Sequence, residues 1–205
     1  MIKKIIYTLW PPCELYAANR YLENSKSYAD RWKEATDELK YNPNSGAGYL
    51  KDDDAEKLAA QAYDAEIKRK EILEGKASTF ILAPSIATTL TAAIPPVIKG
   101  LPIPCLTAII LIFYLLALIS FLVSAYYAVK VRQVSGFALI AASSAHKLIH
   151  QELADRITQR LVFARLNEIE LLKKSNLLSV AENLFLNGLT FLAVASCLYI
   201  LIYLF

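Results

Sequence analysis

The chain has 205 residues, a formal net charge of +3, 56% hydrophobic residues and a mean hydropathy of +0.36, which is too apolar for an ordinary soluble domain of this size. Yet 20% of its residues are charged, and they stand outside the apolar runs, a combination that fits membrane spans joined to water-exposed helices. The small positive excess lies beside those runs, so it reads as a topology signal, and nucleic acid is not expected as a partner.

Met1 to Pro12 carries Lys3 and Lys4 but too short an apolar stretch for a signal peptide. After Pro11-Pro12, a helical pattern over 14–40 places Leu15, Ala18, Leu22, Ala29, Trp32 and Leu39 on one stripe. Trp32 reads there as a packing anchor rather than a stacking platform for a ligand. Residues 41–48 are a loop by composition. No Gly-Lys-Ser/Thr follows the two glycines, so it is not a phosphate-binding loop. Asp52-Asp53-Asp54 then opens a second helix, where negative charge meets the positive end of the helix dipole; that placement accounts for the aspartates without a metal. Leu58, Ala59, Ala62, Ile67 and Ile72 form its expected apolar face.

Lys76 ends the charged part. Ala77–Ile98 and Pro104–Val129 contain no charge, and each is long enough to cross a hydrocarbon core, which takes about 20 helical residues. The proline-rich joint between them is short, so the pair is expected to form a transmembrane hairpin. The first run is rich in hydroxyls. The second is mostly Ile, Leu and Phe, with Ala117, Ser120, Ser124 and Ala128 along one side and Tyr126-Tyr127 at the headgroup end. Lys130 and Arg132 stop transfer. Residues 134–145 either continue the second helix or lie along the interface. A helical pattern over 144–178 follows, with Ile149, Leu153, Ile157, Leu161, Ile169 and Leu172 on one face and Leu161 as its packing anchor. The uncharged run 184–205 makes a third span.

The expected fold is therefore an all-α membrane protein with three transmembrane helices and a cytoplasmic helical bundle. Its segments are 1–76 (amphipathic helices), 77–129 (hairpin), 130–183 (cytoplasmic helical segment) and 184–205 (last span). Lys and Arg flank the same side of every span except for Lys99 in the hairpin turn, an asymmetry that places the N-terminus in the cytoplasm and the C-terminus outside.

Candidate chemistry is sparse. Cys13, Cys105 and Cys197 are isolated and suggest neither a disulfide framework nor a zinc site. His146 and His150 share a helix face, but no third ligand accompanies them and the zinc-protease glutamate is missing, so they read as surface histidines. No nucleophile elbow or dinucleotide fingerprint is present, and no carboxylate lies within a span. The expectation is a protein that is not an enzyme, with no catalytic residue, metal or cofactor. The chemically odd feature is the hydroxyl group of the first span, Ser85, Thr88, Thr89 and Thr91. It reads as a helix-packing surface, with a polar pore lining as the sharper alternative.

At Lys70-Glu-Ile-Leu-Glu-Gly-Lys-Ala-Ser78 the chain resembles small bacterial membrane proteins in which a charged cytoplasmic helix ends in a Lys-Ala-Ser step and enters a transmembrane hairpin. That group includes membrane effectors of anti-phage signalling, of the SLATT and Pycsar kind. The likeness covers roughly Ala55 to Val131; the long N-terminal helix and the third span depart from it. It implies a bacterial inner-membrane effector of abortive infection that perturbs or permeabilises the bilayer as a homo-oligomer. No nucleotide-binding domain is evident, so its control would come through a cytoplasmic protein partner. The layout alone also allows a membrane anchor or scaffold that recruits such a partner. A transporter subunit is disfavoured by the absence of charge within the spans.

Overall fold

A computed structural model describes residues 28–40, 52–92, 104–133 and 152–204. Within them the chain is all-α, with four helices and no strand: α1 (Tyr28–Glu38), α2 (Asp52–Ala92), α3 (Pro104–Gln133) and α4 (Leu153–Leu204). α2 is 41 residues long and α4 is 52, about 60 Å and 78 Å at the rise of an α-helix. α2 starts at the three aspartates. Pro104 opens α3, a position where its missing N–H would have no helical partner anyway. Neither expected boundary, 76/77 or 183/184, interrupts a helix. The charged and apolar stretches follow each other on one rod, because no breaker stronger than Gly75 separates them.

The chain forms two compact units. Among the described residues, unit one holds 73–92, 104–133 and 175–204, and unit two holds 28–40, 52–72 and 152–174.

Unit two is a three-helix packing. Ala35 of α1 is buried against Val162 and Leu166 of α4, flanked by Trp32 and Leu39. The Trp32 ring meets Phe163 edge-on at 5.3 Å, and Tyr63 of α2 approaches the same ring at 6.4 Å. Ala55 and Ala59 close on Ile157, with Leu153 and Leu161 at the margin. Beside this contact Glu56 stands between Arg156 and Arg160, 3.5 Å from each.

Two expected stripes are corrected here. On α2, Leu58 and Ile72 are exposed by half or more, and the buried line is Ala55, Ala59 and Tyr63. Alanines at a four-residue interval let two helix backbones approach, which the larger Leu58 would prevent. On α4, Leu172 is exposed while Leu171 is fully buried. The step of eight from Leu161 to Ile169 turns a helix about 80° past whole turns, enough to leave the packed face. Leu15, Ala18, Leu22 and the 134–145 segment lie outside the described residues.

Unit one pairs α3 and α4 antiparallel. Ser124 meets Ala181, Phe121 meets Phe185, Phe113 meets Phe191, and Ile110 and Tyr114 pack on Ala195. Every residue of the series 110, 114, 117, 121, 124, 128 and 131 on α3 is buried. This alternation of four and three is the repeat that keeps one seam facing a partner helix. α2 joins through Phe80, whose ring meets Phe185 at 6.0 Å, and turns Ala77, Pro84 and Thr91 inward at seven-residue steps.

Of the described helices, two are long and apolar enough to cross a membrane: the one containing Cys105–Gln133 and the one containing Leu153–Ile202. The expectation of three is thereby reduced. In α2 the described uncharged stretch is Ala77 to Ala92, with six hydroxyl residues and Pro84 among its sixteen. It is both shorter and more polar than a lone span requires. The remainder of that run, 93–98, lies outside the described residues.

Candidate functional site

The exterior of unit one is unusually apolar. Leu82, Ile86 and Leu90 on α2, Ile112, Leu115 and Leu122 on α3, and Leu186 and Ile200 on α4 are each more than half exposed. Only 28% and 11% of the two span windows is buried within the chain. A core helix of a soluble protein would be covered by its own fold. Exposed apolar surface of this extent instead needs a non-aqueous neighbour.

The interior is filled. On α3, Ala117, Ser120, Ser124 and Ala128 are all buried. Small side chains bring the helices close enough for a direct hydrogen bond, in which Ser124 Oγ donates to the Ala181 carbonyl at 2.6 Å. Gly188 lies so near Phe121 that a Cβ there would stand 2.6 Å from the ring.

The four hydroxyl residues singled out from the sequence separate into two pairs. Thr91 is buried and Thr88 half-buried, so both belong to the inward side of α2. Ser85 and Thr89 are exposed and share the outer face with Leu82, Ile86 and Leu90. Ser85 Oγ donates to the Ile81 carbonyl at 2.7 Å, Thr89 Oγ1 to the Ser85 carbonyl at 3.0 Å, and Thr91 Oγ1 to the Ala87 carbonyl at 2.7 Å. Each hydroxyl proton is thus held by its own helix, which lowers the cost of placing it in an apolar medium. The oxygens remain able to accept from a neighbour. The small-xxx-small series Ser85, Thr89, Ala93 continues beyond the described residues at its last member.

In unit two, the expected anchors Trp32 and Leu161 are half-buried and flank the cores of Ala35 and Ala59 respectively. Sequence reading missed the buried polar residues of α4, Asn167, Glu170 and Lys174, and the double arginine contact of Glu56. The charge pattern at 56, 156 and 160 carried no signal, because the partners lie a hundred positions apart. Asp30, Lys33, Glu34, Asp37 and Glu38 border a shallow depression of about 670 Å³ and make the open side of α1 mainly acidic. Among the described residues no group of three or more His, Cys, Asp or Glu is placed to hold a metal ion. His146 and His150 lie outside them. Cys105 and Cys197 are free and exposed, and Cys13 is outside the described residues.

No protein-family model, curated protein or solved structure matches this chain.

Proposed function

We propose that the chain is a non-catalytic bacterial inner-membrane protein that acts by assembling in the bilayer, as a membrane-perturbing effector under the control of a cytoplasmic protein partner. The observation that carries the reading is the outer face of α2. Ser85 and Thr89 point away from the packed interior, beside exposed Leu82, Ile86 and Leu90. α2 carries the most Ser and Thr side chains of the three helices in unit one, and Ser85 and Thr89 lie on the face its own chain leaves uncovered. A second copy would satisfy that face. The seam between α3 and α4 is filled by Phe121, Ser124 and their partners, so any leak arises between copies. The basic residues flanking the apolar stretches support a cytoplasmic N-terminus, and the C-terminus would lie outside if the uncharged run 77–98 supplied a third crossing.

The test is overproduction in bacterial cells carrying a membrane-potential dye. Wild-type protein depolarises the cells, and Ser85→Leu with Thr89→Leu removes the effect while leaving membrane insertion intact. Both positions must change at once, since interhelical hydrogen bonds in membranes average only about 0.6 kcal/mol each. If wild type leaves the potential unchanged while a cytoplasmic protein co-purifies with it, the chain is an anchor or scaffold and not an effector.

A further inference from the structure

We infer that the cytoplasmic end of α3 carries a binding surface for anionic phospholipid headgroups, formed by Lys130 with Tyr126 on one side of the helix and by Arg132 on the other. The inference rests on the membrane reading above and adds a lipid class and a position. α3 sorts its exposed side chains by depth. From Ile109 through Ile112, Leu115 and Leu122 they are aliphatic; at position 126 they become aromatic, and at 130 and 132 cationic. Ile109 to Tyr126 spans seventeen helical steps, about 26 Å, close to the hydrocarbon thickness of about 30 Å.

Tyr126 is 55% exposed and packs edge-on against Tyr127 at 5.5 Å. The Lys130 ammonium stands 5.4 Å from the Tyr126 ring centre. A cation held over a ring at the edge of an apolar belt is fixed at the depth of phosphate groups, rather than extended into water. Arg132, exposed two residues further and on nearly the opposite side of the helix, adds at the same depth a planar donor that can take two oxygens of a second phosphate. The described charges of unit one are Glu74, Lys76, Lys130, Arg132 and Glu182. On α3 the two cations have no acidic residue beside them, whereas Lys76 on α2 has Glu74 two positions away. Charge complementarity therefore selects an anionic lipid.

The experiment is native mass spectrometry of the full-length protein in detergent, titrated with phosphatidylglycerol or phosphatidylcholine, with carbonate extraction of the expressing membranes run alongside. Wild type binds phosphatidylglycerol roughly thirtyfold more tightly, the scale expected for two cations near a membrane surface. Lys130→Ala with Arg132→Ala removes the preference, while Lys57→Ala, at an exposed lysine of unit two, keeps it. Equal affinity for the two lipids overturns the headgroup site alone. So does a preference that survives the double substitution, or one that inorganic phosphate at equal concentration abolishes. Release of wild type by carbonate overturns the membrane reading and the site with it.

Discussion

Ser124 and Ala181, 57 positions apart, are joined by a 2.6 Å hydrogen bond from the serine hydroxyl to the alanine carbonyl in the buried seam of α3 and α4. The contact exists because both residues are small. With Ala117, Ala128 and Gly188 they bring the helix backbones near enough for a side chain to reach main chain across the interface. Ser124→Ala should cost about 0.6 kcal/mol and at most about 1.7, the range for such bonds in membrane helices. Ser124→Leu should cost more, because it also drives the backbones apart. Reversible unfolding in mixed micelles measures both. A loss for leucine no larger than for alanine would mean that the bond, which both changes remove, rather than the spacing, holds the seam.

Gly188 gives a sharper version of the same test. A methyl group there meets Phe121 at 2.6 Å, so Gly188→Ala should destabilise unit one by about 1–3 kcal/mol, the usual range for overpacking. Phe121→Leu introduced alongside should recover part of that loss. In a double-mutant cycle the coupling must be favourable; additive losses would show that the two residues are not in contact.

Unit two is tested by its register. Leu171 is fully buried and Leu172 is 41% exposed, so Leu171→Asp should open the bundle to limited proteolysis while Leu172→Asp leaves it resistant. Trp32→Ala should cost about 2 kcal/mol, below the 3–5 typical of a fully buried large aromatic, because the ring is half-buried. Equal sensitivity at 171 and 172 would contradict the packing of α4.

Glu56 contacts two arginines at 3.5 Å with about a quarter of each side chain exposed. Partial solvation limits its worth, so Glu56→Gln should cost no more than about 1 kcal/mol. Glu56→Lys should cost clearly more, since it sets three like charges together, and the excess should shrink at high salt. Thermal unfolding at low and high salt reads both effects. An excess that does not respond to salt would mean that the three groups are not close.

Much of this arrangement was legible in the sequence, and the places where it was not share a cause. The uncharged runs marked α3 and the end of α4, because twenty apolar residues in succession have few other destinations. The small residues Ala117, Ser120, Ser124 and Ala128 marked the packed side of α3, because their spacing matches one helix face. Of the buried line only Ala59 was in the expected face; Ala55 and Tyr63 did not stand out, since large aliphatics such as Leu58 and Ile72 outweigh alanine in any hydrophobic stripe. Close packing makes the opposite choice. The division of the hydroxyls was likewise hidden. Positions 85, 88, 89 and 91 spread over an arc of about 160° on a helix, wide enough for its two edges, 89 and 91, to fall on different sides of a packed face. Which pair turns inward depends on Pro84 and Ala77 meeting the rest of unit one, information that is not local.

The central claim is that the exposed apolar exterior of unit one lies in lipid. It is tested most directly by nitroxide spin labels placed singly at Ile112 and Leu115 of α3 in membrane-reconstituted protein, with Cys13, Cys105 and Cys197 replaced by serine. Both positions are more than half exposed. The account predicts that molecular oxygen, which concentrates in hydrocarbon, relaxes both labels strongly, while a water-soluble nickel chelate hardly reaches them. Strong relaxation of both labels by the nickel chelate would place this face in water and contradict the account.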